Sequence, residues 1–185
     1  MNSIKECPVV YHQVVAWGDM DAFGHVNNVL YYRYFESARI EYLSQVDAFS
    51  HGLVSVISSN SCRYYRPVYY PDTLKIGARV VEVRNSGFRM VYVIYSNQQA
   101  QMVATGEAIV VMVDAKTFEK VAMPLELKQR IAALEANVGN ELDIGLPNEK
   151  PSLTDLGRAL RDNLRENIEQ MVPKIGGKHN NHDKD

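Results

Sequence analysis

The sequence predicts an α+β domain in which an antiparallel sheet wraps one buried helix, and three observations lead there. Residues 28–43, NVLYYRYFESARIEYL, carry apolar groups at helical spacing: Leu30 with Tyr34, and Tyr31 with Phe35, Ala38 and Tyr42. Four β-branched and aromatic runs follow, at 54–65, 73–83, 88–95 and 102–113, and one more precedes the helix at 9–17. Their separators are turn chemistry: Pro67 with Pro71-Asp72, then Asn85-Ser86-Gly87, then Ser96-Asn97-Gln98. Gaps this short join antiparallel neighbours, and one helix followed by a meander is an α+β pattern.

The first strand runs into a polar cluster, WGDMDAFGHVNN, at 17–28. Asn27 is the expected N-cap of the helix, because its side-chain oxygen can accept from a first-turn amide with no partner inside the helix. The helix is apolar around much of its circumference, interrupted mainly by Arg33, Glu36 and Arg39, so burial is expected. Glu36 and Arg39 stand three apart and can pair with each other. After the fifth strand, Pro124 opens a second helix whose stripe is Leu127, Ile131, Leu134 and Val138, and Gly139 offers its stop. The domain is thus expected over 1–138, with a Gly/Pro-containing linker at 139–151. Ser152 with Asp155 signals a further amphipathic helix at 152–173, striped by Leu153, Leu156, Leu160, Leu164, Ile168 and Met171. Residues 174–185, ending HNNHDKD, read as a disordered tail, and two histidines there without further ligands do not make a zinc site.

Composition narrows the function classes. Hydrophobic residues are 46% and charged residues 23% of 185, as in soluble globular proteins. A net charge of −2 without a dense basic stretch argues against nucleic acid as a partner. Cys7 and Cys62 are too few for a disulfide framework or a thiolate zinc site, so neither cofactor nor metal is expected. The longest apolar run, 108–113, is far short of the ~20 residues that span a bilayer. No apolar signal core opens the chain, and a cytoplasmic location is the expectation.

The polar cluster is the candidate site. Asp19 reads as a turn carboxylate bonding nearby backbone. Asp21 differs, because Gly24 permits a tight backbone approach and the free amides that begin the helix form an electropositive focus four to seven residues on. Such amides can stabilise an oxyanion while a carboxylate activates water or attacks directly, which suits acyl transfer. His25 either assists there or ties the loop to the helix as a structural histidine.

The pattern Asp21-x-x-x-His25-Val26-Asn27-Asn28-x-x-Tyr31, continuing through Tyr34, Glu36, Ala38 and Arg39, resembles hotdog-fold acyl-CoA thioesterases of the 4-hydroxybenzoyl-CoA and long-chain acyl-CoA thioesterase branch. CRYYRPVYYPDTLKI, at 62–76, is similar to the strand, Arg-Pro bend and Asp-x-Leu strand start of that superfamily. The similarity spans about residues 9–135. It implies a five-stranded sheet around a long helix, active sites at a homodimer interface, and dimers often paired into tetramers. It implies Asp21 as catalytic carboxylate, the main-chain amide of Asn28 beside the thioester carbonyl, and His25 as orienting or assisting. Phe23 stands where plant acyl-carrier-protein thioesterases carry asparagine, a departure from that subgroup. The implied substrate is acyl-CoA, with thioesters of acyl-carrier protein and non-catalytic acyl-thioester binding as the alternatives. Tyr31, Tyr34 and Phe35 are the candidate acyl lining, and Arg63 and Arg66, with Arg84 and Arg89, the candidate partners of the pantetheine phosphates.

Overall fold

A computed structural model describes residues 3–50 and 52–145; the expected helix at 152–173 and tail at 174–185 lie outside the described residues. Its elements, in order, are β1 (Val9–Val14), α1 (Leu30–Gln45), β2 (Leu53–Tyr64), β3 (Thr73–Arg84), β4 (Gly87–Ser96), β5 (Gln101–Asp114) and α2 (Leu125–Ala136). The strands form one antiparallel sheet in the order β1-β3-β4-β5-β2. Its inner face, carrying Leu74, Ile76, Ala78, Met90, Tyr92, Ile94, Ala108 and Val110, closes on α1 to make the core.

Helix α1 buries Tyr31, Tyr34, Phe35, Ala38, Arg39, Tyr42 and Leu43, the three-and-four spacing of a helix inside a curved sheet. Phe35 is fully buried and stacks on Tyr92 with ring centroids 4.6 Å apart. The sheet comes so close that a Cβ on Gly106 would clash with the Phe35 ring. Arg39 lies 3.9 Å from Glu36, but its other nitrogen donates to the Tyr92 hydroxyl at 3.1 Å. Burial makes this cross-link to the sheet the larger constraint. The helix ends where Asp47 turns left-handed, at φ 52°.

The first strand stops at Val14, three residues before the expected Trp17. Val15 N–H reaches across to the Asp72 carbonyl at 3.0 Å, and Trp17–Asp19 coils into a 3-10 turn. The Asp19 carboxylate enforces that turn by accepting from Ala16 N at 2.9 Å, an acidic side chain outcompeting the sheet ladder for backbone. Asp72 is a second such node: buried, it accepts from the Ser96 hydroxyl, from Thr73 N at 2.7 Å and from Gln98 N at 3.1 Å, so it locks the start of β3 to the β4–β5 turn.

Helix α2 follows Pro124 and lays Leu127 and Ile131 into the core, with Gly139 at φ 80° after its end; Val138 falls past the last turn and is 37% exposed. Glu135 is fully buried. Its carboxylate accepts from Tyr42 Oη at 2.7 Å, Val80 N at 2.6 Å and Asn140 Nδ2 at 2.7 Å, tying α2 to α1 and β3.

Candidate active site

The stretch between β1 and α1 folds into a small hairpin. Gly24, left-handed at φ 80°, returns its N–H to the Asp21 carbonyl at 3.0 Å, and Asp21 N donates to the His25 carbonyl at 2.9 Å. The reversal sets residues 21 and 25 opposite each other. Asp21 Oδ2 lies 3.2 Å from His25 Nδ1, and Asp21 Oδ1 accepts from Phe23 N at 2.9 Å. The carboxylate is thereby held by the Phe23 amide and set against the His25 ring while retaining free lone pairs.

From the hairpin the chain enters the helix through a turn in which all but one of the backbone N–H groups are committed. Val26 N donates to the Val68 carbonyl at 2.8 Å, Asn27 N to the Asp19 carbonyl at 2.9 Å and Leu30 N to the Asn27 carbonyl at 3.0 Å. Val29 N donates to Asn27 Oδ1 at 3.1 Å in an Asx turn, but regular helix begins only at Leu30 and its N-cap position is Val29, so Asn27 shapes the entry to the helix without being the expected N-cap. Across 26–30 the Asn28 N–H alone has no acceptor among the described residues. Because the Asn27 carbonyl is drawn toward Leu30, the Asn28 N–H on the other side of that trans peptide points out of the helix start, the electropositive end.

A cavity of about 270 Å³ opens here, lined by His25, Val26, Asn28, Tyr31, Tyr64, Tyr65, Arg66 and Pro67. Four of the sequence-derived candidates, His25, Asn28, Tyr31 and Arg66, thus share one wall, and Asp21 contacts His25. Asp21 itself does not line the cavity, and neither do Tyr34, Phe35 or Arg63. Tyr34 is buried and spends its hydroxyl on Asp19 Oδ2 at 2.8 Å, and Phe35 is enclosed by Tyr92 and Gly106. Arg63 pairs with Thr105 across the β2–β5 ladder, on the opposite face from Cys62 and Tyr64, and its guanidinium covers the Tyr65 ring at 5.5 Å. Arg84 and Arg89 bind Glu82 instead. Tyr64 and Tyr65 escaped the sequence reading, although CRYYRP contains them.

Burial is the first cause of the raised titration of the cavity phenols: Tyr31 is pushed up to about 12, and Tyr64 above its ordinary value with Cys62 as the second cause. Both remain neutral donors. Among the described residues no group of three or more His, Cys, Asp or Glu side chains is placed to hold a metal, and no helix is long and apolar enough to cross a membrane.

Residues 15–131 match the thioesterase-like superfamily, and the chain belongs to it. The chain is 28% identical over 116 residues to the long-chain acyl-CoA thioesterase FadM of Escherichia coli, covering 60% of this chain and 88% of that protein. A Thermus thermophilus thioesterase crystallised with coenzyme A and Zn is 30% identical, with a TM-score of 0.64 over 71% of this chain and 97% of that one. The probable thioesterase YbaW of Escherichia coli is 26% identical, with a TM-score of 0.59 over 66% and 95%. The α+β hotdog architecture expected from the two motifs is therefore the fold of this chain.

Proposed function

We propose that the chain hydrolyses acyl-CoA thioesters to a free carboxylic acid and CoA in the cavity between the hairpin and β2. The observation that carries this is the uncommitted Asn28 N–H at the helix start, beside a cavity whose His25 is in contact with a carboxylate. Sulfur donates weakly into the carbonyl and leaves as a stable thiolate, so a thioester needs little more than an oxyanion donor and a base. Asp21 acts as the base: it takes a proton from water while the hydroxide oxygen adds to the carbonyl carbon. The electron pair displaced onto the carbonyl oxygen is held by Asn28 N–H. Collapse of that adduct breaks the C–S bond, and the thiolate of CoA takes up the proton. His25 orients Asp21. Arg66, on the cavity wall, meets the phosphates of the pantetheine arm, and Tyr31 flanks the acyl group.

The protein acts as a homodimer. β2 ends the sheet, runs for 12 residues and leaves Val56 and Ile57 each 37% exposed, an edge open to pairing with a second copy. A cavity of about 270 Å³ is small for a whole acyl-CoA, and the second copy would extend it along β2. Sedimentation giving a monomer at micromolar concentration would refute the pairing.

The test of the activity is thiol release from acyl-CoAs of graded length and from matched thioesters of acyl-carrier protein. Turnover of the CoA esters in preference to the carrier-protein esters is expected. Strong preference for the carrier protein would reassign the substrate, and tight binding without release would make the chain an acyl-thioester binder.

A further inference from the structure

We propose that Tyr64 is a positioning residue that sets the Asn28 amide for the reaction, from the edge strand and not from the hairpin or the helix; this rests on the thioesterase reading above. Tyr64 Oη donates to the Asn28 carbonyl at 3.0 Å, while Asn27 Oδ1 accepts from Val29 N at 3.1 Å. These are the two ends of one peptide group, the Asn28–Val29 unit, so its plane is held from both sides. The preceding Asn27–Asn28 peptide is held through its carbonyl by Leu30 N. With both flanking peptide planes fixed, the direction of the Asn28 N–H is fixed too.

The grip spans 36 residues of sequence and joins the end of β2 to the helix start. The Tyr64 ring is itself set by an edge-on contact with Tyr31, with centroids 4.9 Å apart at 89°. Tyr31 is a buried α1 residue, so the half-exposed Tyr64 ring leans on a fixed neighbour that directs its hydroxyl. The hydroxyl touches the Asn28 carbonyl, which does not react. Its effect must reach the substrate through the orientation of the neighbouring N–H, and a donor that stabilises an oxyanion works only when its direction is set before the charge develops. Loss of the hydroxyl should therefore slow turnover and leave ground-state binding nearly unchanged.

The experiment is steady-state hydrolysis of one acyl-CoA by the full chain and by Tyr64→Phe, Asn27→Ala and the double variant, with thermal melts to establish folding. Tyr64→Phe is expected to lower kcat roughly 3- to 10-fold, the size of one net hydrogen bond, with KM changed less than about two-fold. Because both residues hold the same peptide, the double variant should lose much less than the product of the single losses. A wild-type kcat in folded Tyr64→Phe, or a loss confined to KM, overturns the proposal, as does full multiplicativity with Asn27→Ala. Should Tyr64→Phe not fold, an unchanged kcat in Asn27→Ala overturns it. Asp21→Asn assayed alongside separates the two levels. An unimpaired Asp21→Asn protein removes the functional reading and this proposal with it, whereas a dead Asp21→Asn beside a silent Tyr64→Phe removes the positioning role alone.

Discussion

Asp21 Oδ2 and His25 Nδ1 are 3.2 Å apart across a hairpin that Gly24 closes at φ 80°. The imidazole is 39% exposed and the carboxylate 19%, so the histidine stands on the cavity side of the pair and the carboxylate is the more enclosed member. A group oriented by one such neighbour loses its working geometry when the neighbour is cut away. His25→Ala is expected to lower kcat by about 10²-fold, the cost of a reacting group displaced by ~1 Å, with the melting temperature nearly unchanged. An activity loss that tracks a large fall in melting temperature would instead mark His25 as structural.

Glu135 predicts how stability depends on pH. Burial raises its titration above the ordinary glutamate value, partly offset by the Val80 amide, Asn140, Tyr42 and Arg79. The folded chain then binds the proton more tightly than the unfolded chain, so this residue's contribution is full below the ordinary glutamate range and is lost as pH rises through the raised value. Glu135→Gln lacks this titration but presents an amide to Asn140 Nδ2, costing about 1–3 kcal/mol for the frustrated donors. Urea unfolding at pH 5 and pH 8 should show the wild type ahead of the variant at pH 5 by more than at pH 8. A gap that widens with pH would contradict this.

At Gly106 the sheet closes directly onto the Phe35 ring of the helix. Gly106→Ala puts a methyl against a ring that has no room to withdraw, since Phe35 already stacks on Tyr92. A loss of about 1–3 kcal/mol is expected from overpacking. Phe35→Leu in the same chain should recover part of it, and two strictly additive losses would show that the clash is relieved elsewhere.

Much of this architecture can be read from periodicity. The four runs at 54–65, 73–83, 88–95 and 102–113 became strands with ends shifted by one residue, and the helix runs two residues beyond 43. Gly24 is legible as permitting a tight backbone approach near Asp21, but the contact between Asp21 and His25 emerges only with the hairpin that its left-handed turn closes. Aromatic spacing on α1 was less informative. It marks Tyr31, Tyr34 and Phe35 as inward but does not say which of them meets a cavity, and Tyr34 is diverted by a partner 15 residues away. Two-residue alternation could have separated Arg63 from Tyr64, since neighbours on a strand face opposite sides. Glu135 carries no such signal: a charged residue on a helix reads as surface until its three donors, from three other parts of the chain, are seen.

The proposed hydrolysis stands or falls with the Asp21 carboxylate acting on a thioester whose carbonyl is held at the helix start. Asp21→Asn keeps the size of the side chain and removes the base. The decisive measurement is single-turnover release of CoA from an acyl-CoA by wild-type and Asp21→Asn proteins that melt at the same temperature. A loss of at least about 10²-fold in the rate of the chemical step is expected. An Asp21→Asn protein that releases CoA at the wild-type rate would contradict it.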